Sequence, residues 1–94
     1  MKPTPADIAI AISQIQAGDW IDPAEEPAEW SCQLYNPAGK FAGDGDAHTP
    51  GIAMAMAWIC CHDNDALCRG YVELDWVPSE VPDDWRFELQ REAS

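Results

Sequence analysis

The sequence predicts an α+β domain: a small antiparallel sheet of three to four strands with two helices packed on one face, in the order α-β-β-α-β-β. Three observations predict it. Ile8, Ile12 and Ile15 recur at helical spacing near the start of the chain. Three later segments, around Trp30–Tyr35, Tyr71–Trp76 and Trp85–Gln90, alternate apolar with polar residues at the period of a strand that has one face on a core. Between them, Ile52–Cys61 is apolar on nearly every side, the pattern of a central helix covered on more than one face.

Taken in order, Thr4-Pro5 opens the first helix, with threonine suited to the N-cap, proline to the first helical position, and Asp7 placed to answer the cap. The helix runs over about residues 5–17 and stops at Gly18. Asp19–Glu29 holds two prolines and five carboxylates and reads as a solvated loop. Trp30, Cys32 and Leu34 then mark the first strand, and Asn36-Pro37-Ala38-Gly39 is a reverse turn that returns the chain through Lys40-Phe41-Ala42, making a β-hairpin. Gly43-Asp44-Gly45-Asp46-Ala47-His48 is too glycine-rich for a strand or helix interior and reads as a loop leading to Thr49-Pro50, where the second helix begins. Val72, Leu74 and Trp76 mark a third strand. Trp85, Phe87 and Leu89 mark a fourth, although Asp83 equally suits the cap of a short terminal helix.

Ninety-four residues suffice for one core, so residues 1–94 are read as a single acidic domain, and the thin stability margin of so short a chain makes a homodimer a reasonable assembly. With 47% hydrophobic residues and five tryptophans the chain folds rather than staying disordered. Seventeen Asp and Glu against five Lys and Arg give a net charge of −12, which disfavours direct binding to nucleic acid, where cations must neutralise phosphates. It equally disfavours an anionic membrane, and the apolar run Gly51–Cys61 is about half the ~20 residues that span a bilayer. The proline-broken start, without the apolar run of a secretory signal, predicts a cytoplasmic protein.

Cys60, Cys61, His62 and Cys68 are metal-ligand types, but consecutive helical residues point about 100° apart and the short gaps of zinc ribbons are missing, so buried reduced thiols and no metal are expected. Asp44, Asp46 and His48 begin like a calcium loop without its remaining carboxylates, and read as aspartates accepting local backbone hydrogen bonds. His48 and His62 are the only imidazoles, and no nucleophile is required to lie beside either, so no catalytic site and no cofactor are expected. A charge of −12 exceeds the magnitude of about 2–8 that keeps a small domain soluble, which points to steering toward a protein partner with a basic surface. The candidate contact residues are Asp19, Trp20, Asp22, Glu25, Glu26 and Glu29 in the first loop, Tyr35, and Glu73, Asp75, Asp83 and Asp84 from the second half. Glu73 and Asp75 would project from one strand face about 6.6–6.8 Å apart, so that an array of this kind imitates a phosphate backbone.

Phe41-Ala42-Gly43-Asp44-Gly45-Asp46, Thr49-Pro50 and the Ala53–Trp58 helix, in a chain of this size and acidity, resemble small phage accessory proteins of the anti-CRISPR kind over residues 30–62. The resemblance implies an inhibitor, acting in a bacterial host cell, that binds a Cas subunit or guide complex and blocks DNA recognition, in some members by DNA mimicry. It carries over no functional residue. The alternative is a phage or bacterial adaptor for a non-defence partner, with the acid serving solubility.

Overall fold

The structure is a computed structural model that describes residues 2–17, 28–62 and 77–91. Its architecture is α+β: helix α1 (Pro5–Ala17), strands β1 (Trp30–Tyr35) and β2 (Phe41–Ala47), helix α2 (Pro50–His62) and strand β3 (Arg86–Arg91). The strands form an antiparallel sheet in the order β2-β1-β3, with β1 central. The expected strand over Tyr71–Trp76 lies outside the described residues. The segment after Asp83 is a strand and not a terminal helix, because Phe87 and Leu89 fall opposite Leu34 and Cys32 and face the same core.

Both helices begin where the Thr-Pro pairs predict. At α1 the cap is reciprocal: the Thr4 amide donates to Asp7 Oδ2 at 2.8 Å, and the Asp7 amide donates to Thr4 Oγ1 at 3.1 Å. At α2 the Ile52 amide donates to Thr49 Oγ1 at 3.3 Å. Thr4→Ala removes an acceptor for a helix-end amide and should cost about 1 kcal/mol, with Thr4→Ser close to neutral, as read from urea unfolding followed by tryptophan fluorescence.

Helix α2 is the centre of the molecule. Every residue from Ala53 to Ile59 is buried, as its all-round apolar sequence requires, with the sheet on one side and Ile8, Ala11 and Ile15 of α1 in the same core. Of the two helices expected to pack on one face of the sheet, only α2 makes extensive contact with the strands. Helix α2 packs on β1 and β2, and α1 packs against α2.

The segment Gly43–Asp46, expected as a loop, is the body of β2: Gly45 pairs with Cys32 and Gly43 with Leu34. The glycines are there because α2 crosses too close for any side chain. A Cβ on Gly45 would lie 2.5 Å from the Ala53 carbonyl oxygen and 2.6 Å from the Ala57 nitrogen, and one on Gly43 would lie 2.6 Å from the Ala57 carbonyl oxygen. Glycine in a strand marks a close backbone approach of this sort, so the residues that weaken local strand preference are those the helix packing demands. The hairpin turn is as predicted. Asn36 Oδ1 accepts from the Ala38 and Lys40 amides, each at 3.0 Å, and Gly39 takes a φ of +81°.

Candidate functional site

Alternation along the strands divides the sheet's residues between two faces. Trp30, Cys32 and Leu34 of β1 turn to the helix side with Gly43, Gly45, Phe87 and Leu89. The opposite positions make three rows across the sheet: Phe41–Tyr35–Arg86, Asp44–Gln33–Glu88 and Asp46–Ser31–Gln90. No helix covers this second face among the described residues, and Phe41, Gln33, Asp44, Arg86, Glu88 and Gln90 are exposed.

The first row is a small aromatic and cationic platform. Tyr35 and Phe41 meet edge to face with ring centroids 6.2 Å apart, and the Arg86 guanidinium lies 4.6 Å above the centre of the Tyr35 ring. Tyr35 is held further by its hydroxyl, which donates to Gln33 Oε1 at 3.0 Å, and Arg86 Nη2 reaches Glu88 Oε1 at 3.5 Å. Phe41 is 58% exposed and, with the half-buried Tyr35, gives this row an aromatic surface. Hot spots of protein interfaces are enriched in tyrosine and arginine, and two of the three residues in this row are of those types.

The next two rows carry Asp44, Asp46 and Glu88. Asp44 stands on the outer strand, where Cys60 Sγ lies 4.0 Å from its Oδ1, a weak contact at the rim of α2. Its charge also acts inward: burial first, and then Asp44, push the Cys32 thiol up to about 12, so Cys32 stays protonated at neutral pH. Burial, and then Cys60, raise the Cys61 thiol, and burial lowers His62 from its ordinary value. A shallow depression of about 420 Å³ lies along β1 and β3, bordered by Ser31, Gln33, Glu88 and Gln90. Among the described residues no group of three His, Cys, Asp or Glu side chains is arranged to hold a metal ion, and no helix is long and apolar enough to cross a membrane. Cys68 lies outside the described residues.

Of the residues proposed from sequence, Tyr35 lies on the open face at the end of β1, between Phe41 and Arg86, and Glu29 is exposed just ahead of β1. Asp83 and Asp84 are exposed in the turn before β3, off the face. Asp19, Trp20, Asp22, Glu25, Glu26, Glu73 and Asp75 lie outside the described residues. The residues the sequence reading did not assign to a surface, namely Phe41, Asp44, Asp46, Arg86 and Glu88, become neighbours only through the strand register.

Asp83 is engaged within the chain. Lys2 Nζ donates to its Oδ1 at 2.5 Å and to the Val81 carbonyl at 2.8 Å, tying the start of the chain to the segment before β3. The hydrogen bond and charge of Lys2 hold the Asp83 carboxyl below its ordinary value. A carboxyl lowered on folding adds stability above its ordinary pKa and loses that contribution as the pH falls through the lowered one. Lys2→Met should therefore return the Asp83 titration to the ordinary carboxylate position by NMR. The stability difference between the two proteins should be present near neutral pH and vanish on acidification.

Comparison of the chain with protein-family profiles, with curated protein sequences and with solved structures yields no match.

Proposed function

We propose that the chain is a binding protein rather than an enzyme, and that it occupies a basic, nucleic-acid-binding surface of a partner protein in a bacterial cell. In the form that the resemblance of residues 30–62 suggests, it is an inhibitor of the anti-CRISPR kind that docks on a Cas subunit or guide complex and blocks DNA recognition. The observation that carries the reading is the open sheet face, where Asp44, Asp46 and Glu88 share a surface with the exposed Phe41 and Tyr35 row in a chain of net charge −12. Carboxylates give the long-range attraction and the encounter rate, and the aromatic row supplies contacts that lengthen residence. Asp44 and Asp46, two residues apart on one strand, have the same spacing of about 6.6–6.8 Å that makes a carboxylate pair a mimic of neighbouring phosphates.

The test is expression of the chain in CRISPR-equipped bacteria challenged with a targeted phage, together with affinity capture read by mass spectrometry. Protection of the phage and co-purification of a Cas subunit are the expected results. No protection on any such host and no captured Cas subunit would end this reading. The exposed Phe41 favours a second reading, an adaptor that binds a non-defence partner through a mixed apolar face while the acid serves solubility. Complex formation indifferent to salt between about 50 and 500 mM would select it.

A further inference from the structure

We infer that the open sheet face is an arginine-reading surface: it docks a guanidinium-bearing segment of the partner protein, with a partner arginine stacked on Phe41 and paired with Asp44. The inference rests on the reading of the chain as a binder of basic proteins, and it names the chemistry that the face selects within that class.

The first support is what the protein does with its own arginines. Arg86 lies 4.6 Å over the Tyr35 ring, and Arg91 lies 5.8 Å from the centre of the Trp30 ring. Both described arginines thus rest on aromatic rings of β1, and Arg86 adds a carboxylate, Glu88, at 3.5 Å. A guanidinium above a ring with a carboxylate beside it is therefore a unit that this sheet already builds. The second support is that an exposed ring and an exposed carboxylate stand on the neighbouring strand as well, with no ion pair to that carboxylate among the described residues. Phe41 is 58% exposed, touches Tyr35 by its edge, and is followed three residues later, beyond the bulge at Ala42, by the exposed Asp44, which stands opposite Gln33 with its Oδ1 at 4.0 Å from Cys60 Sγ at the strand's outer edge. Asp46 stands a further two positions on, and Glu88 lies across β1 from Asp44.

The third support is charge. A chain of −12 attracts cations of either type, but only a planar, weakly hydrated guanidinium both stacks on a ring and bonds a carboxylate through two donors. An ammonium is a hydrated point charge that gains less from such a platform. The face should therefore discriminate arginine from lysine, which a diffuse acidic surface would not.

The experiment titrates capped hexa-arginine and hexa-lysine peptides into the isotope-labelled full chain and follows backbone amides by NMR. Arginine peptide is expected to bind about two- to fivefold tighter than lysine peptide, the return for one exposed ring stacking on a guanidinium, with the largest shifts at Gln33, Tyr35, Phe41 and Asp44. Phe41→Ala, at an exposed position that leaves the core intact, should bring arginine down to the lysine level. Glu80→Gln with Asp84→Asn, which removes two exposed charges off the face, should preserve the preference. Equal binding of the two peptides, or shifts spread with no focus on β1 and β2, would overturn the inference. Arginine preference at this face with no Cas subunit captured would uphold it while removing the anti-CRISPR reading.

Discussion

Gly45→Ala should destabilise the protein by about 3 kcal/mol, the upper end of the usual cost of overpacking, and lower the thermal midpoint by roughly 12–24 °C. The reason is the identity of the atoms in the way. The new methyl would stand 2.5 Å from the Ala53 carbonyl oxygen and 2.6 Å from both the Ala57 nitrogen and Met56 Cβ. No side-chain rotation relieves a clash with helix backbone, so α2 must lift from β2, and the contacts of Cys32 and Leu34 beneath it loosen together. Gly39→Ala is the control. Nothing lies within 4 Å of a Cβ there, and the cost is only the positive φ of +81°, about 1 kcal/mol. Thermal melts followed by circular dichroism compare the two, and a Gly45→Ala protein as stable as Gly39→Ala would contradict the close packing of α2 on β2.

Trp58→Ala should cost about 3–5 kcal/mol, enough to unfold a domain of this size if its total stability lies at the low end of the usual range. Trp58 is buried on α2, and its Nε1 donates to the Pro78 carbonyl at 2.8 Å. Its ring meets Trp85 edge to face at 5.3 Å and His62 at 4.5 Å. The side chain therefore joins the central helix to the segment that leads into β3, and its loss leaves both a cavity and a carbonyl without this donor. Trp58→Phe keeps most of the ring volume and removes the donor, and should cost about 1–2 kcal/mol. Urea unfolding monitored by circular dichroism separates the two effects. A Trp58→Ala cost below that of Trp58→Phe would show that the bridge to Pro78 and Trp85 is not what holds this segment.

Elements whose signal is local were legible in the sequence. The Thr4-Pro5 and Thr49-Pro50 starts, the Asn36–Gly39 turn and the alternation of β1 and β3 are each set by residues within a few positions of one another, and each stands where it was expected. The all-round apolar character of α2 foretold its central place for the same reason. Strand β2 was not legible, because its glycines answer to a helix that packs against them from residues 53 to 61 and not to any local preference. As a loop, Gly43–Asp46 would have Asp44 and Asp46 accepting local backbone hydrogen bonds, whereas the register sets them opposite Gln33 and Ser31. Tyr35 was legible as an aromatic ring left over from the core. Asp83 was legible as a charge but not as the partner of Lys2, from which it is 81 residues distant in sequence.

Competition between the chain and target DNA for the captured partner, measured at about 50 and 500 mM salt, tests most directly whether a carboxylate-bearing sheet face meets a cationic groove. DNA and the chain are expected to exclude each other, affinity to fall about tenfold or more with salt, and neutralisation of Asp44, Asp46 and Glu88 to reproduce the loss at low salt. Simultaneous binding of DNA and the chain, with an affinity that neither salt nor those three substitutions alters, would contradict that meeting of face and groove.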